Sequence, residues 1–230
     1  MGKTWHIYRN SLRVILLSGV LSFMLLLSGC GQTEESSRTD SSDANPSEKA
    51  ETVENGSSGE EEDYTLETKV MDVINDPVFG DYGRLIFPVD RTIDEDLELQ
   101  DVGEILTWYN NVNPDRTVEI ANYLKDQVES GEEIFYDIYT DEEKAEDPDK
   151  ENTGLFFFRG EPGAKTAVIN AGGGFVYVAA MHDSFPHAME LSQKGYNAFA
   201  LIYRPGADTA CEDLARAIAF LHENADEVGS

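Results

Sequence analysis

Hydrophobic positions along the chain follow two different periods, and the change between them falls near Gly131. Before it the spacing is helical. In "TLETKVMDVINDP", Leu66, Val70, Val73 and Ile74 share one helical face, and the pattern stops before Pro77. "FGDYGRLIFPVD" holds two glycines around a short apolar run and reads as a turn followed by an extended piece. "DEDLELQDVGEILTWYNN" is a second helical stretch, interrupted by Gly103. The third has both ends marked: "NPDRTVEIANYLKDQVESG" places Asn113 as N-cap, Pro114 at the first helical position, Asp115 in the first turn and Gly131 past the end. Val118, Ala121, Leu124 and Val128 form its expected buried stripe. Residues 64–131 therefore predict a small helical subdomain.

After Gly131 alternating and continuous apolar runs take over. "EIFYDIYT" and "TGLFFFRG" read as two strands of a hairpin, separated by the charged loop "DEEKAEDPDKEN". "KTAVINA" is a continuous apolar strand of the kind buried on both faces. A short helix, "DSFPHAMELSQKG", follows and ends at Gly195, and "YNAFALIYR" is a further buried strand. The last element is a long helix, with Thr209 and Glu212 as a capping box and Leu214, Ile218 and Leu221 on one face. Strand, helix, strand, helix after a hairpin predicts an α/β fold containing two parallel strands, over residues 132–230.

The N-terminus follows another logic. "MGKTWHIYRNSLR" carries Lys3, Arg9 and Arg13 with no acid, and "VILLSGVLSFMLLL" is an uncharged run shorter than the roughly 20 residues of a membrane span. That is a secretory leader, residues 1–29. Its end, "LSGC", resembles the lipobox of bacterial lipoproteins, which implies cleavage before Cys30, acylation of its thiol and an extracytoplasmic, membrane-anchored protein. With Cys30 acylated, Cys211 has no disulfide partner and reads as a small packed side chain. Residues 30–63 then form an acidic tether. Beyond Cys30 it has no aromatic and one large aliphatic, Val53, too little apolar surface to offset the entropy of ordering.

Charge narrows the partners. The chain has 17 basic and 45 acidic residues, a net of -28, and loss of the leader leaves 14 basic residues and a net of -31. Such a balance excludes nucleic acid and anionic lipid headgroups as partners of the domain.

The chemistry centres on "NAGGGF". A dinucleotide fingerprint would need a glycine where Tyr177 stands, and a phosphate-binding loop would end in Gly-Lys-Ser/Thr, so neither fits. Glycines after a buried strand can instead offer backbone N–H groups to an oxyanion with no side chain in the way. Here the chain resembles the esterase/lipase branch of bacterial α/β-hydrolases, over residues 132–230. Gly172, Gly173, Gly174 and Phe175 match the oxyanion loop, and Gly195-Tyr196, Phe199 and Tyr203-Arg204 match the strand that follows. Ala171 replaces the histidine usual before the glycines. The resemblance implies an incomplete α/β-hydrolase sheet, no cofactor, a carboxylic-ester substrate, and a nucleophilic serine in G-x-S-x-G on the turn after the next strand.

No serine of this chain stands in G-x-S-x-G, and its Asp and His partners are likewise missing. The expectation is an N-terminal portion of a membrane-anchored serine hydrolase, inactive alone, with Val168 and Ile169 on an open sheet edge. The alternative is a non-catalytic surface lipoprotein that binds a ligand or a protein partner. Of the histidines, His182 lies near enough to the glycines in sequence to be a substrate contact. No histidine pair has metal-ligand spacing, and acid clusters such as "DEEKAEDPD" lack the glycine and terminal glutamate of a calcium loop, so no metal site is expected.

Overall fold

A four-stranded mixed sheet holds the centre of the molecule, in the order β1-β2-β4-β3. The computed structural model describes residues 62–109, 112–226 and 228. They belong to one compact unit, Glu62–Ser230. The leader, Cys30 and nearly all of the tether lie outside the described residues. Among the described residues no helix is long and apolar enough to cross a membrane.

The helical segment comes first. It contains α1 (Val70–Ile74), 3-10 turns at Pro77–Leu85 and Leu99–Glu104, and α2 (Pro114–Glu129). The turn expected around Gly80 and Gly83 is present as a 3-10 segment, kinked at Gly80, that runs on to Leu85 into the piece expected to be extended. Asp76 caps it by accepting from the Val78 amide, and Pro77 pre-sets the backbone of its first residue. The second helical stretch shortens to one 3-10 turn. The start of α2 is as the sequence predicts, with the Asn113 side chain accepting from the amides of Asp115 and Arg116. Its buried stripe is rotated, however. Thr117, Ile120, Ala121 and Leu124 are buried, whereas Val118 and Val128 are only half-buried.

Strands β1 (Phe135–Tyr136) and β2 (Gly154–Phe158) pair antiparallel, β2 pairs antiparallel with β4 (Asn197–Ile202), and β3 (Thr166–Asn170) runs parallel to β4. The hairpin and the parallel pair are as expected. The long hairpin loop is not shapeless, because Thr140 and Glu143 form a reciprocal capping box that starts α3 (Asp141–Glu146). The capping box expected at Thr209 is absent. There the Thr209 hydroxyl donates to the carbonyls of Pro205 and Gly206, and Gly206 is the N-cap of α5 (Ala207–Glu223).

Side-chain alternation on β2 and β4 explains what covers the sheet. Phe157 stacks on Phe199 at 4.3 Å between ring centres, and Tyr136 connects this pair to Phe220 of α5. On the other face Phe156 and Phe158 pack on Phe185 of α4 (Phe185–Gln193), and Phe158 also stacks on Tyr123 of α2. Their register partners there are Ala200 and Ala198, whose small side chains leave room for α4. The helical segment and the sheet thereby share a single core.

Strand β3 stands at the sheet edge with Val168 and Ile169 only partly covered, which is the open edge expected for them, but the burial on both faces read from its apolar run is not realised. The continuous apolar run is a property of its sequence, while burial on both faces needs a second neighbour. In α5, Leu214 is half-buried and Leu221 buried as expected, but Ile218 is exposed, and so is Cys211. Burial there follows Ala210, Asp213, Ala217 and Leu221, a stripe displaced by one residue.

Candidate functional site

The glycine run leaves the carboxyl end of β3, the side of an open α/β sheet on which ligands bind. Each residue of the loop is held by something different. The Ala171 carbonyl accepts from the buried Tyr203 hydroxyl at 2.7 Å. The Gly172 amide donates to Asp183 Oδ2 at 2.6 Å, and the Gly172 carbonyl accepts from the Ala179 amide at 3.2 Å. The Gly173 carbonyl accepts from Val176, and the Phe175 carbonyl accepts from Gly206, which ties the loop to the start of α5.

What remains is a row of donors. Among the described residues, the amides of Gly173, Gly174 and Phe175 have no acceptor. Gly174 and Phe175 are exposed residues. The conformation that presents them is costly. Phe175 has φ 62°, a left-handed conformation that an aromatic residue adopts at roughly 1–3 kcal/mol. At Gly173, with φ 144°, a Cβ would lie 1.9 Å from the Tyr177 carbonyl oxygen, so only glycine fits.

Aromatic groups flank the loop. Trp108 Nε1 donates to the Tyr177 hydroxyl, and the Arg91 guanidinium lies over the Tyr177 ring at 4.8 Å and the Trp108 ring at 5.5 Å. The phenols of Tyr109 and Tyr203 are both pushed up to about 12, by burial first and by the neighbouring Asp183 carboxylate second. Both stay protonated at neutral pH, and Tyr203 serves as the donor to the Ala171 carbonyl. Beside the loop, at the carboxyl end of β4, a cleft of about 500 Å³ is lined by Phe87, Val178, Ile202, Tyr203, Arg204 and Asp147, among others.

Arg204 has no free edge for a ligand. Its side chain, 7 % exposed, reaches Asp213 at 2.7 Å, Asp147 at 2.6 Å and Glu212 at 3.0 Å. Asp213 is fully buried, accepts the Arg204 amide as well, and takes the Tyr139 hydroxyl at 2.7 Å. The Tyr203-Arg204 pair at the end of β4 is thus a structural clamp: one side chain braces the glycine loop, the other fastens α5 and the hairpin loop to the sheet.

His182, expected as a substrate contact, sits in the core. It is 8 % exposed, its Nε2 lies 3.2 Å from the Val102 carbonyl, and its ring meets Tyr109 edge-on. It belongs to a π-helical turn, Ala180–Ser184, that turns it inward toward the helical segment. Burial holds its pKa below the ordinary 6.5. The unfolded chain therefore takes up the proton first as pH falls, and stability contributed by neutral His182 is lost from about pH 6.5 downward. A His182→Gln variant is expected to flatten the pH dependence of unfolding between pH 6.5 and 5.5. The difference from wild type should not exceed about 1.4 kcal/mol per pH unit, measured by urea unfolding.

Among the described residues no group of three His, Cys, Asp or Glu side chains is placed to hold a metal ion. The four loop residues stand out in the sequence, whereas the groups packed against them do not. Tyr109 lies more than 60 residues before the loop, and nothing in its local pattern marks it. Asp183 is visible in the sequence only as a neighbour of His182. No family model, curated protein or solved structure matches the chain.

Proposed function

We propose that the chain supplies the oxyanion side of an esterase-type serine hydrolase of the α/β-hydrolase superfamily, anchored by lipid on Cys30 to the extracytoplasmic face of a bacterial membrane and acting on a small carboxylic ester. The observation that carries this reading is the row of acceptor-free amides at Gly173, Gly174 and Phe175, held in a strained conformation at the carboxyl end of β3. Two such donors about 3 Å from a carbonyl oxygen stabilise the negative charge that develops on it in acyl transfer. Gly172 is not one of them, because its N–H is committed to Asp183. The sheet order adds support. In the resembled family the strand before the oxyanion loop lies beside the strand that carries the nucleophile, and here β3 stands at an edge with one side unpaired.

The serine itself belongs to a G-x-S-x-G turn that these 230 residues do not contain. The lipoprotein recovered from its native membrane is therefore expected to hydrolyse p-nitrophenyl acetate, whereas the 230-residue chain produced alone gives only the buffer rate. Equal and negligible rates from both would contradict the reading and favour a non-catalytic lipoprotein whose free amides hold an anionic ligand.

A further inference from the structure

Ala171 stands where the resembled family has a histidine, so another group must hold the glycine loop in shape. Four hydrogen bonds fix its entry and exit, and only one of them involves a carboxylate: that of Asp183, 2.6 Å from the Gly172 amide. Hydrogen bonds to a charged acceptor are about twice as strong as neutral ones. The approach is close. A Cβ on Gly172 would lie 2.8 Å from Asp183 Oδ2 and 2.5 Å from the Tyr109 hydroxyl, so both groups pack directly on the backbone. The other carboxylate oxygen lies 3.2 Å from Nδ1 of His187, in the first turn of α4, and that nitrogen also bonds the Asp183 backbone carbonyl at 2.7 Å. Asp183 thereby joins the loop to α4, an element fixed in the core by Phe185.

We propose that Asp183 is the positioning residue of this loop: it takes up the first glycine amide and so sets the donor row to begin at Gly173. The bond itself is independent of any activity, while its consequence for an oxyanion rests on the function proposed above. Asp183 touches no reacting atom. Its carboxylate would repel an oxyanion, and the Gly172 N–H it accepts offsets part of that repulsion.

The test uses the full chain, 15N-labelled and held in detergent micelles, with Asp183→Ala and Asp183→Asn variants. Amide hydrogen exchange at Gly172 is expected to speed up about tenfold to a hundredfold in Asp183→Ala, and to return most of the way in Asp183→Asn, which keeps an acceptor oxygen. An unchanged Gly172 exchange rate in Asp183→Ala overturns the proposal, as does a loss of protection spread evenly over the whole domain in both variants. Titration with acetate separates the two readings. Shifts confined to the Gly173, Gly174 and Phe175 amides in wild type and Asp183→Asn, lost in Asp183→Ala, support the positioning role. If acetate moves none of them in wild type while Gly172 exchange still depends on Asp183, the oxyanion reading fails and the positioning role stands.

Discussion

Replacing Asp213 with alanine is expected to lower the unfolding free energy by about 3–5 kcal/mol, the range for removing one partner of a buried ion pair. The reason is the company Asp213 keeps. It is fully buried and accepts from the Arg204 amide, the Arg204 guanidinium and the Tyr139 hydroxyl. Alanine leaves all three donors in the interior with one acceptor fewer each, and among the described residues no other fully buried carboxylate pairs with Arg204. Its other partners, Asp147 and Glu212, are 41 % and 55 % exposed, and such solvated pairs contribute about 1 kcal/mol or less. Glu212→Ala is accordingly expected to change stability by no more than that. Urea unfolding followed by circular dichroism compares the two. An Asp213→Ala variant no less stable than Glu212→Ala would show that the clamp does not hold the sheet to α5.

The second large effect is at Gly173. A methyl group there meets the Tyr177 carbonyl oxygen at 1.9 Å, in a backbone conformation that L-residues rarely adopt, so the loop has to move. If the hydrolase proposed above is isolated, its Gly173→Ala variant is expected to lower kcat by about a hundredfold to a thousandfold, as loss of an oxyanion donor does, with KM changed far less. Gly174 provides the contrast. Its φ of 61° is also left-handed, but a Cβ there meets nothing within 4 Å. Gly174→Ala is expected to cost about 1–2 kcal/mol of local strain and to lower kcat by no more than about tenfold. A Gly173→Ala enzyme with wild-type kcat would remove the loop from the mechanism.

Much of the framework was legible in local pattern. The Asn113-Pro114 start of α2, the hairpin, and the parallel pair β3 and β4 all rest on signals within a few residues of each element. A strand's own pattern does not supply its neighbour. "TAVIN" has the composition of a central strand, and its place at an edge is legible only from the resemblance and the absence of a next strand in the sequence, not from its apolar run. The buried stripes of α2 and α5 were read from their aliphatic residues, but the stripes actually include Thr117 and Asp213, polar groups that burial tolerates because each has partners within the fold. Capping was misjudged in both directions, since the reciprocal pair formed at Thr140 and Glu143 and not at Thr209 and Glu212.

The candidate site divides the same way. The glycines were visible because three in succession have few uses after a strand. Their geometry was not. That Gly172 is occupied by Asp183 and that Phe175 carries a left-handed backbone depend on contacts made 11 and 31 residues further along, at Asp183 and Gly206. His182 is close to the glycines in sequence, but the π-helical turn carries it into the core.

The central claim is that the free amides of Gly173, Gly174 and Phe175 serve a serine nucleophile. It is tested most directly by treating the native membrane lipoprotein with a fluorophosphonate and mapping the labelled peptide. The account predicts a label on one serine, within G-x-S-x-G and carboxyl-terminal to Ser230. A native protein that ends at Ser230 and takes no label would contradict it.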